Sequence, residues 1–233
     1  MIDKNSCDKE FLKIVQKEIQ VWRALDHPNI IKFIDQFETM SAMFVFCELA
    51  EQGPLYDYVT ESPGGYLCES EARRIFSQII SAIEYLHSHH ILHGDIKLDN
   101  ILLDRDYNVK LCDFGLSCLI SPDTGLVTCF TSACGGTLLY SAPEVIQQQD
   151  KQIGTKADIW SAGVTLFAMV FGQMPFDDPF EPRLKHMIVT GAFHFPEDTD
   201  VSDNCKDLIK RMLTVSTKDR IDTSSVMDHF WLC

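Results

Sequence analysis

The apolar residues near the start of the chain recur at helical intervals. Their spacing predicts a helix over residues 10–25, and the polar residue Glu18 fills the gap in its apolar face. The apolar positions, four, seven and three residues apart, are Phe11, Val15, Trp22 and Leu25. The residues His27, Pro28 and Asn29 predict the end of this helix, because a residue that precedes proline disfavours helical geometry.

Two short runs rich in β-branched and aromatic residues follow, over residues 30–38 and 43–48, and they predict strands. After a break at residues 51–54, with the sequence EQGP, the pattern becomes helical. Residues 69–87 carry an apolar face at helical spacing. Residues 157–171 are apolar nearly all round, which predicts a central buried helix.

Shorter elements complete the pattern. Residues 101–103 and 109–112 predict two strands around a turn. Residues 115–136 are rich in Ser, Thr, Gly and Cys and predict a long structureless segment, which in a compact domain is typical of function. Residues 203–213 and 222–230 predict two weaker helices.

This order of elements predicts an α+β fold with two lobes. A small lobe of strands and one helix, residues 1–50, precedes a larger and mainly helical lobe, residues 51–233. The 233 residues, 45% of them hydrophobic, are enough to bury a core.

Charge and cysteine content narrow the classes of function. The net charge of −14 disfavours nucleic acid and anionic membranes as partners. Nine scattered cysteines without a C-x-x-C pair indicate reduced thiols, and we expect a cytosolic or nuclear location. The polar start MIDKNSCDKE does not resemble a signal peptide, and the longest apolar run, residues 162–174, is too short to cross a bilayer.

The densest group of polar residues, residues 93–100, lies between a predicted helix and a predicted strand and is therefore a loop. Asp95, Lys97 and Asn100 can converge on one point from such a loop. A carboxylate can accept a hydroxyl proton, an ammonium can neutralise a phosphoryl oxygen, and an amide oxygen can bind Mg²⁺. Asp113, at the end of an apolar strand, is a second candidate Mg²⁺ ligand.

Five motifs in this order and spacing resemble the catalytic domain of eukaryotic protein kinases. They are His93-Gly94-Asp95 with Asn100, Asp113-Phe114-Gly115, Ala142-Pro143-Glu144, Asp158, and Arg220. The resemblance covers nearly the whole chain and implies the bilobal kinase fold, with an incomplete N-terminal lobe. Lys97 and Thr137 resemble the serine/threonine branch of the family. The segment KEIQVWRALDHPNIIKFIDQFE resembles the calcium/calmodulin-dependent and checkpoint-like group.

The resemblance assigns roles to the polar residues. Asp95 would orient the substrate hydroxyl and accept its proton, and Lys97 would steady the transferred phosphoryl group. Asn100 and Asp113 would hold Mg²⁺ on the phosphates of ATP. The implied partners are ATP and protein substrates with Ser or Thr, and we expect a monomer. His93, Glu144, Asp158 and Arg220 are implied to be structural.

The same resemblance places residues around adenine. Glu48 and Ala50 would present the backbone that binds adenine, Leu102 would pack beneath the ring, and Cys47 would leave a roomy back pocket. Each is equally an ordinary core residue by its type, and for Leu102 both interpretations hold together. Glu18 is the natural partner of the lysine that the family carries on an upstream strand.

Gly94 departs from the family, which has arginine at this position to pair with a phosphorylated activation segment. We therefore hypothesise that phosphorylation of the segment is not the main switch, although Thr128, Thr131 and Ser132 remain candidate sites. A large loss of activity after phosphatase treatment would contradict this hypothesis.

The start of the chain differs from the family pattern more strongly than Gly94 does. No G-x-G-x-x-G motif is present, and Met1-Ile2-Asp3-Lys4 matches the residues just after the family's catalytic lysine. Lys4 is a poor substitute for that lysine. Four strand residues separate the two positions, which places Lys4 roughly 13 Å from the position of the catalytic lysine at about 3.3 Å per residue. Two alternatives follow: a truncated copy of a working kinase, which we favour, or a catalytically dead or weak binding module. A scaffold without an ATP role fits poorly with two intact metal-ligand positions.

Substrate preference is weakly encoded. Pro54 stands where many kinases of this group place a glutamate that binds a basic substrate residue. Asp99 is a candidate to attract such a residue, and an exposed loop aspartate is the equal alternative.

Overall fold

The computed structural model describes residues 2–4, 6, 9–127, 137–147, 153–197 and 199–233. The candidate phosphorylation sites Thr128, Thr131 and Ser132 lie outside these ranges.

The N-terminal part combines one antiparallel sheet with one helix. The strands β1 (Ile2–Asp3), β2 (Phe33–Glu38) and β3 (Ala42–Cys47) pair in the order β1-β3-β2. Helix α1 (Lys9–Arg23) lies against this sheet through its apolar face, as the spacing predicts. The buried residues of this contact form a small cluster of Val15, Ile19 and Met43.

The strand predicted over residues 30–38 begins later, at Phe33. The reason is tertiary, because the amide of Ile31 bonds to the Leu111 oxygen at 2.9 Å and the amide of Leu111 bonds to the Asn29 oxygen at 2.8 Å. The residues before Phe33 are therefore paired with the C-terminal part of the chain.

Two further small sheets form the surroundings of the polar loop. Strands β4 (Gly53–Pro54), β6 (Ile101–Leu103) and β7 (Val109–Leu111) pair in the order β4-β6-β7. Strand β5 (Ile91–Leu92) pairs with β8 (Cys118–Leu119) in antiparallel register, with Leu92 opposite Cys118. Strands β5 and β8 thus begin and end a stretch that contains both the polar loop and Asp113.

Helices supply the main core. Helix α3 (Glu69–Ser88) buries one face, and α5 (Lys156–Phe171) is buried on nearly all sides, as predicted. Gly163 lets α7 (Asp203–Met212) pack closely on α5, because a Cβ at Gly163 would lie 2.8 Å from the Cβ of Met212. The shorter helices are α2 (Leu55–Glu61), α4 (Pro143–Ile146), α6 (Glu181–Thr190) and α8 (Thr223–Met227).

Further differences from the sequence predictions concern helices and one strand. Helices α2, α4 and α6 were not predicted, and α8 ends at Met227 because the Asp228 residue leaves the helical region. The segment predicted to be structureless contains β8, and Ile120 pairs with Val127.

The helices and small antiparallel sheets confirm the α+β class. The division at residue 50 stays a prediction. None of the helices in the described ranges is both long and apolar enough to cross a membrane.

Candidate active site

The polar loop is fixed to the buried helix α5 by Asp158, which is 1% exposed. Its two carboxylate oxygens accept hydrogen bonds from the backbone amides of His93 and Gly94, each at 2.9 Å. Burial acts to raise the pKa of Asp158, but hydrogen bonding to His87 and to the Gly94 amide outweighs it and holds that pKa low. A charged carboxylate therefore holds the start of the loop.

His87, at the end of α3, completes this anchor and was not found in the sequence. Its Nε2 lies 2.9 Å from Asp158 Oδ2, and its Nδ1 lies 2.8 Å from Thr223 Oγ1 on α8. The only signal was a histidine in the last turn of an apolar helix that leads into the polar loop. His87 connects helices α3, α5 and α8 at the base of the site.

His93 is fully buried and has a structural role, as the resemblance implied. Its Nε2 lies 3.1 Å from the Cys112 oxygen, so Nε2 carries the proton, and its Nδ1 accepts from the Asp95 amide at 3.2 Å. Its ring contacts Phe114, with centroids 5.2 Å apart. Burial lowers the pKa of His93, which keeps the ring neutral.

The structure brings Asp95, Lys97 and Asn100 together. Asp95 Oδ2 accepts from Lys97 Nζ and from Asn100 Nδ2, both at 2.7 Å. Asn100 Nδ2 also donates to the Asp95 backbone oxygen at 2.9 Å, and Lys97 donates to Thr137 Oγ1 at 3.1 Å. Oδ2 takes both side-chain hydrogen bonds, so Oδ1 is the oxygen of Asp95 for which the described residues supply no side-chain donor.

Asp113 lies two residues beyond β7; it is exposed, and its backbone is left-handed, with φ of 65°. Its Oδ1 accepts from the Gly115 amide at 3.2 Å, and the following Phe114 is 1% exposed. The buried ring therefore fixes the chain, while the carboxylate of Asp113 remains in solvent.

Asn100 and Asp113 fit a Mg²⁺ site. Both hydrogen bonds of the Asn100 amide nitrogen go to Asp95, so its side-chain oxygen is the atom left for a cation. Within the described ranges no group of three or more His, Cys, Asp or Glu side chains is placed to hold a metal. One carboxylate and one amide oxygen suit Mg²⁺, which is typically bound by few protein ligands together with water and substrate phosphates.

Glu18 on α1 reaches the same region, half-buried rather than fully buried. Its Oε2 lies 3.7 Å from the position that a Cβ at Gly115 would take. Burial, and after it the negative charge of Asp113, raises the pKa of Glu18. Lys4 is not its partner, since Lys4 Nζ lies 2.8 Å from Glu38 Oε2.

The candidate adenine-binding residues lie between the two parts of the chain. Cys47 at the end of β3 is exposed, so its interpretation as a core residue is wrong. Glu48 bonds through its amide to the Lys32 oxygen at 2.9 Å and through its side chain to Lys110 at 2.5 Å. The Ala50 oxygen accepts from Gly53, and half-buried Leu102 on β6 lies opposite Pro54 in the sheet. Their adenine contacts stay predictions.

Arg220 and Glu144 form a buried ion pair, which agrees with the structural role that the resemblance implies for them. Arg220, 1% exposed, donates from its two terminal nitrogens to the two carboxylate oxygens of Glu144, at 2.8 and 2.9 Å. Bidentate pairs of this kind fix orientation as well as charge.

Comparisons with known proteins agree with this geometry. The protein kinase domain family model matches residues 1–232. The chain is 40% identical over 232 residues to serine/threonine-protein kinase SIK1 of Rattus norvegicus, covering 100% of this chain and 29% of that protein. It is 40% identical to serine/threonine-protein kinase SIK2 of Gallus gallus over 232 residues, covering 100% and 28%.

A plant protein is similar to nearly the same extent. The SNF1-related protein kinase catalytic subunit alpha KIN12 of Arabidopsis thaliana is 41% identical over 217 residues, covering 93% of this chain and 42% of that protein. The chain therefore spans less than half the length of each of these relatives. The match over residues 1–232, together with the loop geometry around Asp95, shows that the chain belongs to the protein kinase domain family.

Proposed function

We propose that this chain is the catalytic domain of a serine/threonine protein kinase, which transfers the γ-phosphoryl group of ATP to Ser or Thr hydroxyls of proteins. The observation that carries the proposal is the Asp95 carboxylate, which Lys97 and Asn100 hold from one side at 2.7 Å. The similarity to proteins named serine/threonine kinases supports the substrate class.

In this mechanism Asp95 orients the substrate hydroxyl through its remaining oxygen and accepts its proton. Lys97 lies beside that carboxylate, where its charge stabilises the negative charge that develops on the transferred group. Mg²⁺, when bound by Asn100 and Asp113, neutralises phosphate charge. The residues of this chain thus contribute positioning and electrostatic stabilisation.

The contact between Lys97 and Thr137 supports the choice of Ser and Thr over Tyr. It draws the chain before α4 to within 3.1 Å of the catalytic loop. We infer that this narrows the space around Asp95 and favours short side chains that carry their hydroxyl close to the substrate backbone.

Substitution of Asp95 by Asn tests the proposal. We expect phosphoryl transfer to protein substrates to fall by about 10²–10⁴-fold, because the general base is lost. Mg²⁺-dependent ATP binding, measured by calorimetry, should change by less than about twofold, because Asp95 is not a predicted metal ligand.

Asp99→Asn is the matched control, since it removes the same charge from an exposed residue of the same loop. It should retain transfer to within about threefold on substrates without basic residues. A wild-type chain that binds ATP with Mg²⁺ but transfers nothing would instead be a binding module. Equal loss of transfer and ATP binding in Asp95→Asn would contradict the role of Asp95.

A further inference from the structure

Two consecutive residues of α1 contact the first turn after Asp113. Lys17 donates from Nζ to the Ser117 backbone oxygen at 3.3 Å. Glu18 lies beside the same turn, with its Oε2 3.7 Å from the position that a Cβ at Gly115 would take. The Ser117 amide bonds to the Phe114 oxygen at 3.0 Å and closes the turn of residues 114–117. Helix α1 therefore lies against this turn and bonds to its last residue.

The opposite side of this turn rests on the catalytic loop. The Leu116 oxygen lies so close to Gly94 that a Cβ there would be 2.8 Å from it, and Gly94 has a φ of 81°. Both features favour glycine, which accepts a left-handed backbone without a steric penalty. Just beyond the turn, Cys118 pairs with Leu92. The turn is thus enclosed between α1 and the loop that carries Asp95.

The position of the turn determines the orientation of Asp113. The Asp113 carboxylate accepts its hydrogen bond from the amide of Gly115, which belongs to the turn. Asp113 is exposed and has a left-handed backbone, and this hydrogen bond ties its carboxylate to the turn. A displaced turn therefore reorients the carboxylate.

We infer that Lys17 is a positioning residue, which holds the turn of residues 114–117 against the catalytic loop and thereby presents Asp113 to Mg²⁺ and the nucleotide. The role of Asp113 in this inference rests on the proposed function. A lysine that bonds to a backbone oxygen needs no phosphate. This contact therefore orders the start of the activation segment in a chain where Gly94 offers no guanidinium to a phosphorylated residue.

Three variants test the inference. Lys17→Met removes the donor and keeps an extended side chain, whereas Lys17→Arg keeps the donor and the charge. Lys218→Met, an exposed residue elsewhere in the chain, controls for the loss of one positive charge. Amide hydrogen exchange of residues 113–119 is measured on the nucleotide-free chain, and ATP binding is measured as a function of Mg²⁺ concentration.

We expect Lys17→Met to accelerate exchange in this segment and to raise the Mg²⁺ concentration for half-maximal ATP binding by about fivefold, as for one lost charge-assisted hydrogen bond. Lys17→Arg should return both values to within about twofold of wild type, and Lys218→Met should leave both unchanged. If Lys17→Arg restores both values, the hydrogen-bond donor is what matters at this position, because Lys17→Met also places an extended side chain there.

Two results would overturn the inference. If Lys17→Met changes neither the hydrogen exchange nor the Mg²⁺ dependence of ATP binding, Lys17 has no positioning role, and the proposed function is not affected. An arginine variant as impaired as the methionine variant would show that the donor is not what matters. By contrast, a wild-type chain without Mg²⁺-dependent ATP binding would overturn the proposed function, while hydrogen exchange would still show whether Lys17 holds the turn.

Discussion

The N-terminal and C-terminal parts of this chain bury very different kinds of residue. The C-terminal part buries charged groups with their partners, as in Asp158 with His87 and Arg220 with Glu144. Among the side chains that the structure describes, the N-terminal sheet and helix bury a small apolar cluster and expose several large apolar residues. The exposed residues are Ile34, Phe37, Met40, Phe46 and Leu49.

The residues of the site differ in how firmly the surrounding structure fixes them. Asp95 and Asn100 lie on a loop that buried hydrogen bonds fix in place, which suits groups that must be preorganised. Lys17 and Glu18 reach the site from helix α1, outside that loop. We therefore expect the position of α1 to be more adjustable than that of the catalytic loop.

The largest expected effect is the loss of the buried ion pair in the C-terminal part. Arg220→Met leaves the Glu144 carboxylate buried without its partner, and we expect the free energy of unfolding to fall by about 3–5 kcal/mol. Urea denaturation measures this change. Arg211→Met is the control, because its pair with Asp207 is exposed and should contribute less than about 1 kcal/mol. A loss below about 1 kcal/mol for Arg220→Met would remove the contrast between the two parts.

A smaller and more local effect is expected in the N-terminal part. Met43 is 1% exposed and packs with Val15 and Ile19 among the described residues, so Met43→Ala should cost about 2–3 kcal/mol. Hydrogen exchange should accelerate in α1 and β3 while α3 and α5 stay protected. Met40→Ala, at a fully exposed residue, should change stability by less than about 0.5 kcal/mol. Equal acceleration in α3 would mean that the two parts unfold as one.

The smallest effect concerns Glu18, whose raised pKa makes its ionised form unfavourable in the folded chain. Its protonated form contributes stability below the unfolded pKa, and this contribution is lost as the pH rises through the folded pKa. Glu18→Gln should therefore raise Tm at pH 7.5 by roughly 2 °C, a modest gain because Glu18 is only half-buried.

The gain from Glu18→Gln should disappear as the pH falls toward 4.5, the ordinary value for a glutamate. Thermal unfolding at both pH values measures the change, with exposed Glu61→Gln as control. A Tm gain that is the same at both pH values would show that ionisation of Glu18 is not the cause.

The predictable parts of the fold are those with a strong local pattern. Helix α3 could be predicted over residues 69–87 because its apolar positions all lie on one face. The helix in the structure ends one residue later, at Ser88. Helix α6 was missed, since it has a proline in its first turn and buries only Leu184 and Ile188. The start of β2 could not be predicted, because Ile31 has the composition of a strand residue but pairs with Leu111.

The same distinction applies to the site. Asp95, Lys97 and Asn100 are close in sequence, so a single loop can bring them together and the sequence predicts their convergence. His87 and Asp158 are 71 residues apart, and Lys17 and Ser117 are 100 residues apart. Contacts at such separations depend on how the helices pack and leave no local pattern.

The hydrogen bond between His87 and Thr223 has a consequence for biosynthesis. The two residues are 136 positions apart, with Thr223 the later of the two. A ribosome releases the chain from its N-terminus, so the catalytic loop leaves the exit tunnel long before the helix that completes its anchor. A nascent chain therefore cannot complete the anchor of this loop until Thr223 has left the exit tunnel, well after the loop itself.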